Sequence, residues 1–441
     1  MVLIPTYLAL NKTISSGLTF NGKLKFYHSP LKILAKLLPF SKIALVFEAP
    51  NLYCGLVVAV LCLIYFFKKN HTLRSRVIFI SLAIFTYLSL NFNLFDFIWH
   101  GFHFPNQLPA RQSFIVIFAM ISLAFSVFIQ IDRERKNIAN ILTFILIVGI
   151  CANSIYTLSN QTWKSNVKNY TVYDADMEYI TKKYKSDDYF YRMEFLTPSY
   201  NLGQRYGYNG IGYYSSTMSA NTYNFFEKIG MEIYPLRVST EYVPSNILNA
   251  IFGVKYLFKT EDDLDQKLFL YEKEVLDKVT VYENPYALPL AFSVDPSVLD
   301  LDMNPNSDLQ NEMLRHMIGD RSSSKYYNEK DFARAIGILK NNSLDITSFS
   351  KTDITGIIDN SKDSILYTSI PNDGGWSAFV DGKKTEIVTI FDYLCGIPLT
   401  EGKHTIRLVY TPPGVELGTL ISLMSIVFFF IYTYRIKKLQ K

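Results

Sequence analysis

The sequence predicts a multi-span α-helical membrane protein carrying an extracytoplasmic α+β domain that ends in a β-sandwich. Three observations predict it. Apolar runs crowd residues 52–156 and return at 415–434. Between them, residues 157–414 are polar and rich in Tyr. From residue 343 the hydrophobic period changes to two. A run of about 20 apolar residues fits the bilayer core, and a helix satisfies its own backbone hydrogen bonds there. The polar stretch is therefore a soluble domain tethered at both ends to one membrane face.

Composition agrees. Apolar residues make up 49% of the 441, a modest share for a membrane protein, because more than half the chain is polar domain. The net charge of +5 is scattered, with no basic stripe of the kind that binds nucleic acid. Cys54, Cys62 and Cys151 fall in or beside apolar helices and Cys395 stands alone, so neither a disulfide framework nor a metal cluster is expected.

In the transmembrane region, 1–156, spans are predicted at about 52–67, 76–92, 113–131 and 137–156. A C-terminal span covers 415–434, followed by a tail, 435–441. The first ten residues, MVLIPTYLAL, are too short to cross. They lack the basic n-region and cleavage site of a signal peptide. They read as the outer half of a helix or as an interfacial segment. Basic residues set the orientation: Lys68, Lys69, Arg74 and Arg76 in one turn, Arg133, Arg135 and Lys136 in another, and Arg435, Lys437, Lys438 and Lys441 in the tail. All three ends fall on one side if every span crosses, which makes that side cytoplasmic. The six lysines within 11–51 oppose this assignment.

The soluble part divides into an α+β domain, 157–342, and a β-sandwich, 343–414. Within the first, residues 199–226 combine Gly203, Gly207, Gly210 and Gly212 with Tyr200, Tyr206, Tyr208, Tyr213, Tyr214 and Tyr223. That glycine density predicts a loop region. Its rings either stack on sugars or partners, or pack on one another. Ser307–Gln310 has the pattern of a capping box opening a helix with Leu309, Met313 and Met317 on one face, stopped by Gly319. His316 on this helix reads as a surface residue. A second helix covers about 328–340, with Phe332, Ile336 and Leu339 inward. After 343, short alternating runs separated by Asn, Asp, Gly and Ser predict antiparallel strands, with hairpin turns at Asp381-Gly382 and Glu401-Gly402. Trp376 reads either as a core residue or as a sugar platform.

Several stretches together resemble the YfhO family of bacterial membrane proteins. They are NFNLFDFIWHGFHFPNQLPARQSF at 91–114, LNAIFGVKYLF at 248–258, VYENPYALPLAFSVD at 281–295, GGWSAFVDGKKTEI at 374–387 and EGKHTIRLVYTPPG at 401–414. YfhO proteins are similar to GT-C glycosyltransferases, which take sugar from a polyprenyl phosphate at the outer face of the plasma membrane. Some members are implicated in decorating lipoteichoic acid or related wall polymers. The resemblance therefore implies GT-C-like architecture and a bacterial plasma-membrane location. The expected partners are the lipid bilayer, a polyprenyl-phosphate sugar as donor and a wall polymer as acceptor. A polyprenyl-phosphate glycosyltransferase and a flippase would stand upstream in the pathway. The resemblance also implies a chain about twice as long, whose N-terminal half, absent here, holds the loop with the acidic residue. A non-catalytic envelope-polymer binding or scaffolding protein, or an inactive fragment, is the alternative.

Such a transfer needs a carboxylate to activate the acceptor and cations to hold the departing phosphate. Among membrane-proximal outer positions, Glu48 and Asp96 are acidic. Asp96 is the candidate base, although the family pattern places that base elsewhere. Asp96 and His100 are four apart and would share a helix face. Arg111, at the mouth of the next span, suits a bidentate grip on phosphate. Arg111, His100 and His103 are the candidates for lipid-phosphate or acceptor contact. Trp99 and Trp376 are the aromatic candidates. The bland readings are an interfacial aromatic belt around Trp99 and a snorkelling Arg111. HGFH, with two histidines and no third ligand, predicts no metal site. The chain carries no P-loop, nucleophile elbow or HExxH.

Overall fold

The computed structural model describes residues 3–13, 22–42, 49–67, 72–100, 102, 110–160, 171–185, 190–196, 201–215, 217–234, 239–260, 267–323 and 325–439. They belong to two compact units, 15–166 and 1–14 together with 167–441.

The first unit is helical: Pro30–Ala35, Leu56–Phe67, Leu73–Asn91, Asn93–Trp99, Ser113–Glu134 and Lys136–Ser159. Ser113–Glu134 and Lys136–Ser159 are long and apolar enough to cross a membrane, as is Val415–Ile436 in the other unit. Leu56–Tyr65 and Val77–Asn91 are shorter apolar helices. The five expected spans thus appear as three full-length helices and two short ones. The first begins four residues late, after Gly55 at φ +111°. Val57, Val58, Leu61 and Cys62 pack on Ala124 and Val127, where the small alanine lets two helices approach closely. Most of the other apolar side chains on these helices are exposed within the unit, as lipid-facing surfaces are.

In the second unit, helix Leu3–Asn11 leans on the start of helix Val415–Leu439; a Cβ at Gly414 would lie 2.7 Å from Leu8 and 3.0 Å from Ile4. The apolar N-terminal segment is thus docked on the last helix. Helix Asp174–Tyr184 follows, burying Met177 and Ile180. The strands then run in order: β1 Arg192–Phe195, β2 Tyr213–Tyr214, β3 Glu232–Tyr234, β4 Ser239–Glu241, β5 Val254–Lys259, β6 Tyr271–Val275, β7 Thr280–Glu283, β8 Ala291–Val294, β9 Asp345–Phe349, β10 Asp353–Asn360, β11 Ser364–Pro371, β12 Trp376–Val380, β13 Lys383–Thr385, β14 Val388–Ile390, β15 Leu394–Leu399 and β16 Gly402–Tyr410. One sheet has the order β1-β5-β7-β6, with β1 and β5 parallel and the rest antiparallel. A small sheet pairs β2, β4 and β3.

The sandwich has a five-stranded sheet, β13-β12-β16-β10-β9, facing a four-stranded one, β14-β15-β11-β8. Ile354, Ile358, Ile406 and Leu408 of the first meet Leu366, Cys395, Ile397 and Leu399 of the second. Strand β10 alternates between buried and half-exposed positions, as a sheet with one wet face must. Strand β11 does not alternate, because its other face, Ile365 and Tyr367, packs into a second core with Phe292, Met313, Phe332 and Ile336. β8 lies upstream of residue 343, yet it completes the four-stranded sheet.

Three local expectations are corrected. The stretch 199–226 is not all loop: Leu202–Tyr206 and Ala220–Lys228 are helices. The glycines end at Gly212, and Ser219 then caps Asn221 N at 3.2 Å while Phe225 and Phe226 turn into the core. The capping box at Ser307–Gln310 does not form. Asp308 takes the N-cap position without a side-chain bond, its own N–H donates to Asn306 Oδ1 at 2.7 Å, and Gln310 is drawn away to donate to Ile229 O at 2.8 Å. Glu401-Gly402 is no hairpin, because β15 and β16 belong to different sheets and the turn carries the chain between them. Asp381-Gly382 does turn β12 into β13, with φ of 52° and 78°. The helix Leu309–Ile318 stops at Gly319 in the left-handed region, and Glu329–Lys340 buries Phe332, Ile336 and Leu339.

Two of the stretches quoted above form one corner. Helix Asn246–Ile251 ends at Phe252, and Gly253 at φ +62° turns the chain into β5. A Cβ on Gly253 would lie 2.5 Å from the Leu288 carbonyl oxygen. The 284–290 turn clasps this corner: Asn284 Nδ2 donates to Val254 O at 2.9 Å, and Leu288 N donates to Ala250 O at 3.0 Å. Gly253→Ala should destabilise the unit by about 2 kcal/mol or more, since left-handed backbone and a backbone collision act together. Denaturant midpoints of the purified protein check this; an unchanged midpoint would refute the account.

Candidate functional site

In the helical unit, polar side chains collect where the Leu73–Asn91 helix ends. Such groups at the edge of apolar helices are costly unless paired. Here they are paired. Phe92 is extended between two helices, so Asn91 and Asn93 both reach the segment 23–28. Asn91 donates to His28 O at 2.7 Å and accepts from His28 N at 2.8 Å. Asn93 donates to Lys23 O at 2.7 Å and accepts from Lys25 N at 3.0 Å. Phe26 and Phe92 bridge between them, so two amides hold an otherwise irregular segment as a strand would.

That clamp delivers Tyr27 to Asp96. The Tyr27 hydroxyl donates to Asp96 Oδ2 at 3.0 Å, and Ala110 N donates to Oδ1 at 3.3 Å. His100 Nδ1 lies 2.8 Å from Asp96 O and 3.3 Å from Oδ1. Asp96 is 1% exposed. The carboxylate offered by the sequence as a base is therefore buried and occupied on both oxygens. The shared face of Asp96 and His100 is as the spacing predicts.

Burial by itself would lower the His100 pKa, but the Asp96 hydrogen bonds and charge outweigh it and raise it above the ordinary value of 6.5, against the nearby Arg111 cation. Burial, reinforced by Asp96, likewise raises the Tyr27 phenol, which stays a donor. His100, its Nδ1 turned to Asp96, and Arg111 thus lie near one another ahead of helix Ser113–Glu134. Arg111 is exposed. Beneath it the buried Gln112 donates to Ser89 O, while Gln112 Oε1 and Ser89 Oγ lack partners. Trp99 closes the short helix with its ring partly exposed, and His103 lies outside the described residues.

Trp376 is elsewhere, on β12. It packs against the sandwich core with its ring 5.1 Å from that of Tyr410. His316 is half-buried, with Nδ1 donating to Ser297 O at 2.6 Å. Among the described residues, no group of three or more His, Cys, Asp or Glu converges as metal ligands. Tyr27, Asn91 and Asn93 escaped sequence reasoning. Their signal was the N-x-N-x-x-D spacing at 91–96, polar residues placed where an apolar helix ends.

The chain matches the family described as bacterial membrane protein YfhO over residues 1–172, 125–335 and 326–422. It belongs to the YfhO family. Neither the curated proteins nor the solved structures compared give a significant match. The resemblance expected from the five quoted stretches is thus established, and with it a membrane protein bearing a β-rich domain.

One further buried titratable pair lies in the soluble unit of this YfhO-family chain. Arg192 donates to Phe252 O at 2.6 Å, Ser369 Oγ at 2.8 Å and Ser369 O at 3.0 Å, joining β1 to β11. Glu194 accepts from the N–H groups of Ile211 and Gly212, the second at 3.2 Å. Burial pushes the Glu194 carboxyl up to about 7, against those two donors and Arg192.

Two outcomes follow. In NMR titrations, His100 should titrate above 6.5 in the native protein and fall toward or below it in Asp96→Asn, which removes the charge; equal midpoints would refute the pairing. Because the folded pKa is raised, the stabilisation from charged His100 is complete below the unfolded pKa and lost as pH rises through the folded one. Glu194 is an acid with a raised pKa. Its folded state keeps the proton longer, so stability from this group declines as pH rises from about 4.5 to about 7. Glu194→Gln should remove that decline, a difference on the order of 3 kcal/mol at pH 8. Urea midpoints at pH 5 and 8 measure it; parallel native and variant curves would sink the idea.

Proposed function

We propose that this protein takes part in transfer of a sugar from a polyprenyl-phosphate donor to a cell-envelope polymer such as lipoteichoic acid, at the outer face of the bacterial plasma membrane. The observation that carries the reading is the placement of His100, hydrogen-bonded to buried Asp96, near Arg111. Asp96 favours the charged form of His100 beside Arg111, at the start of an apolar helix long enough to cross a membrane. Lipid phosphates lie at that depth, and charge-assisted contacts from imidazolium and guanidinium suit them. Membership of the YfhO family supports the same reading.

In the reaction, an acceptor hydroxyl oxygen attacks the anomeric carbon of the donor sugar. The bond from that carbon to the phosphate oxygen breaks, the hydroxyl proton passes to a base, and polyprenyl phosphate departs. His100 and Arg111 would hold the phosphate as its negative charge grows. Asp96 would act through His100, and Tyr27 would fix Asp96. The base is not assigned to Asp96, whose oxygens are already engaged. In this orientation the soluble unit is extracytoplasmic and the C-terminus cytoplasmic, as the basic turns indicate.

The full chain in lipid nanodiscs should bind polyprenyl phosphate and discriminate against the neutral polyprenol. Arg111→Gln and His100→Gln should each weaken binding by about tenfold, equivalent to about 1.4 kcal/mol. Native affinity should fall as pH rises through the His100 pKa, and the His100→Gln curve should be flat in that range. Equal affinity for phosphate and alcohol would overturn the assignment.

A further inference from the structure

A cleft of about 850 Å3 opens on the soluble unit, away from every residue discussed above as a candidate site. The end of helix Ala220–Lys228, the start of helix Asn246–Ile251, Phe269, the start of helix Leu309–Ile318 and Tyr326-Tyr327 enclose it. Its volume falls within the roughly 300–1,000 Å3 of small-molecule sites.

The walls are amides held rigid from behind. Asn246 donates to Lys267 O at 2.9 Å and accepts from Phe269 N at 2.7 Å. Gln310 donates to Ile229 O at 2.8 Å and accepts from the Ser245 hydroxyl at 2.7 Å. Asn311 accepts from Tyr326 N at 3.1 Å and donates to Asp308 at 3.2 Å. Each amide has two N–H donors and two acceptor lone pairs, so these bonds fix its plane and leave hydrogen-bonding capacity over. The diversion of Gln310 from the expected capping box is part of this arrangement.

Aromatic surface completes the lining. Tyr326 is buried, whereas Tyr327 is 67% exposed. The Lys325 ammonium lies 5.7 Å from the Tyr327 ring centroid. Lys228 and Lys267 line the cleft, and Lys228 pairs with Asp392 at 2.9 Å; Lys325, next to Tyr326, lies 3.8 Å from Asp308.

We infer that this cleft is a carbohydrate-binding site that takes a neutral pyranose unit. Fixed planar amides suit adjacent sugar hydroxyls, each of which donates and accepts. An exposed tyrosine ring covers the apolar C–H face of a pyranose, combining an apolar body with a polar tip. The inference stands apart from the transfer reading, since it needs neither the donor lipid nor the His100–Arg111 pair.

The test is saturation-transfer NMR on the full chain in nanodiscs, without donor lipid. The probes are the methyl glycosides of glucose, galactose and N-acetylglucosamine, together with sugar-free poly(glycerol phosphate). At least one glycoside should take up saturation on its ring protons with millimolar affinity. Tyr327→Ala should weaken it by about tenfold and Tyr327→Phe should retain it, with unfolding midpoints unchanged because the ring is exposed. Gln310→Ala should also weaken binding; if that variant melts early, the Tyr327 pair still decides. No saturation of any glycoside, or equal binding by Tyr327→Ala, would overturn the proposal. So would Tyr327-dependent binding of the sugar-free polymer alone, which would make the site one for anionic chains. Retained glycoside binding in Arg111→Gln separates this site from the lipid-phosphate reading.

Discussion

Strand β11 is covered on both faces, and the soluble unit is organised around that fact. Leu366 and Ile370 face the partner sheet, while Ile365 and Tyr367 face the helices. Tyr367 is wholly buried, with its hydroxyl donating to Ile251 O at 3.3 Å. Its polar neighbours are paired too, Thr368 with Cys395 O and Ser369 with Arg192. Buried polar groups in such a strand are tolerable because each finds a partner; stripped of one, each would cost about 1–3 kcal/mol. Through Ser369 and Ile251 the strand also reaches the corner at Gly253, so the sandwich and the upstream helices share one core.

The helical unit solves a similar problem at the edge of an apolar region. Asn91, Asn93 and Asp96 are nearly inaccessible, and an unpaired carboxylate there would be prohibitive. Three donors, from Tyr27, Ala110 and His100, surround Asp96. The contrast with Glu194 is instructive. Glu194 is also buried, but burial outweighs its two backbone donors and the Arg192 charge, so its proton is held more tightly than in water. Beside Asp96, the hydrogen bonds and charge of the carboxylate raise the His100 pKa. Burial therefore raises the carboxyl of Glu194, while the contacts of buried Asp96 raise the imidazole of His100.

Much of the architecture was legible in the sequence. Long apolar runs gave Ser113–Glu134, Lys136–Ser159 and Val415–Leu439, because a membrane-length helix is a local property of composition. Period-two runs gave the sandwich strands, and Gly319 and Asp381-Gly382 gave a helix stop and a hairpin, since left-handed backbone selects residue type locally. The Asp96–His100 pairing was legible for the same reason, four residues along one helix. Elements that compete for partners were not. Ser307–Gln310 fits a capping box until Gln310 finds Ile229 O across the fold. Glu401-Gly402 fits a hairpin until the next strand joins the other sheet. Tyr27 is 69 positions from Asp96, and no local pattern announces that contact.

The sequence by itself determined that this chain is a membrane protein of the YfhO family with a β-rich polar domain, because hydropathy, period and turn chemistry are written over a few neighbouring residues. Tertiary structure alone decided which polar groups came together. It buried Asp96 and set Tyr27 and His100 around its carboxylate. It brought Asn246, Gln310 and Tyr327, from three separate segments, to one cleft. Desolvation and the pairing of donors with acceptors depend on what the whole fold places around a side chain, and that surrounding is not a property of any short stretch of sequence.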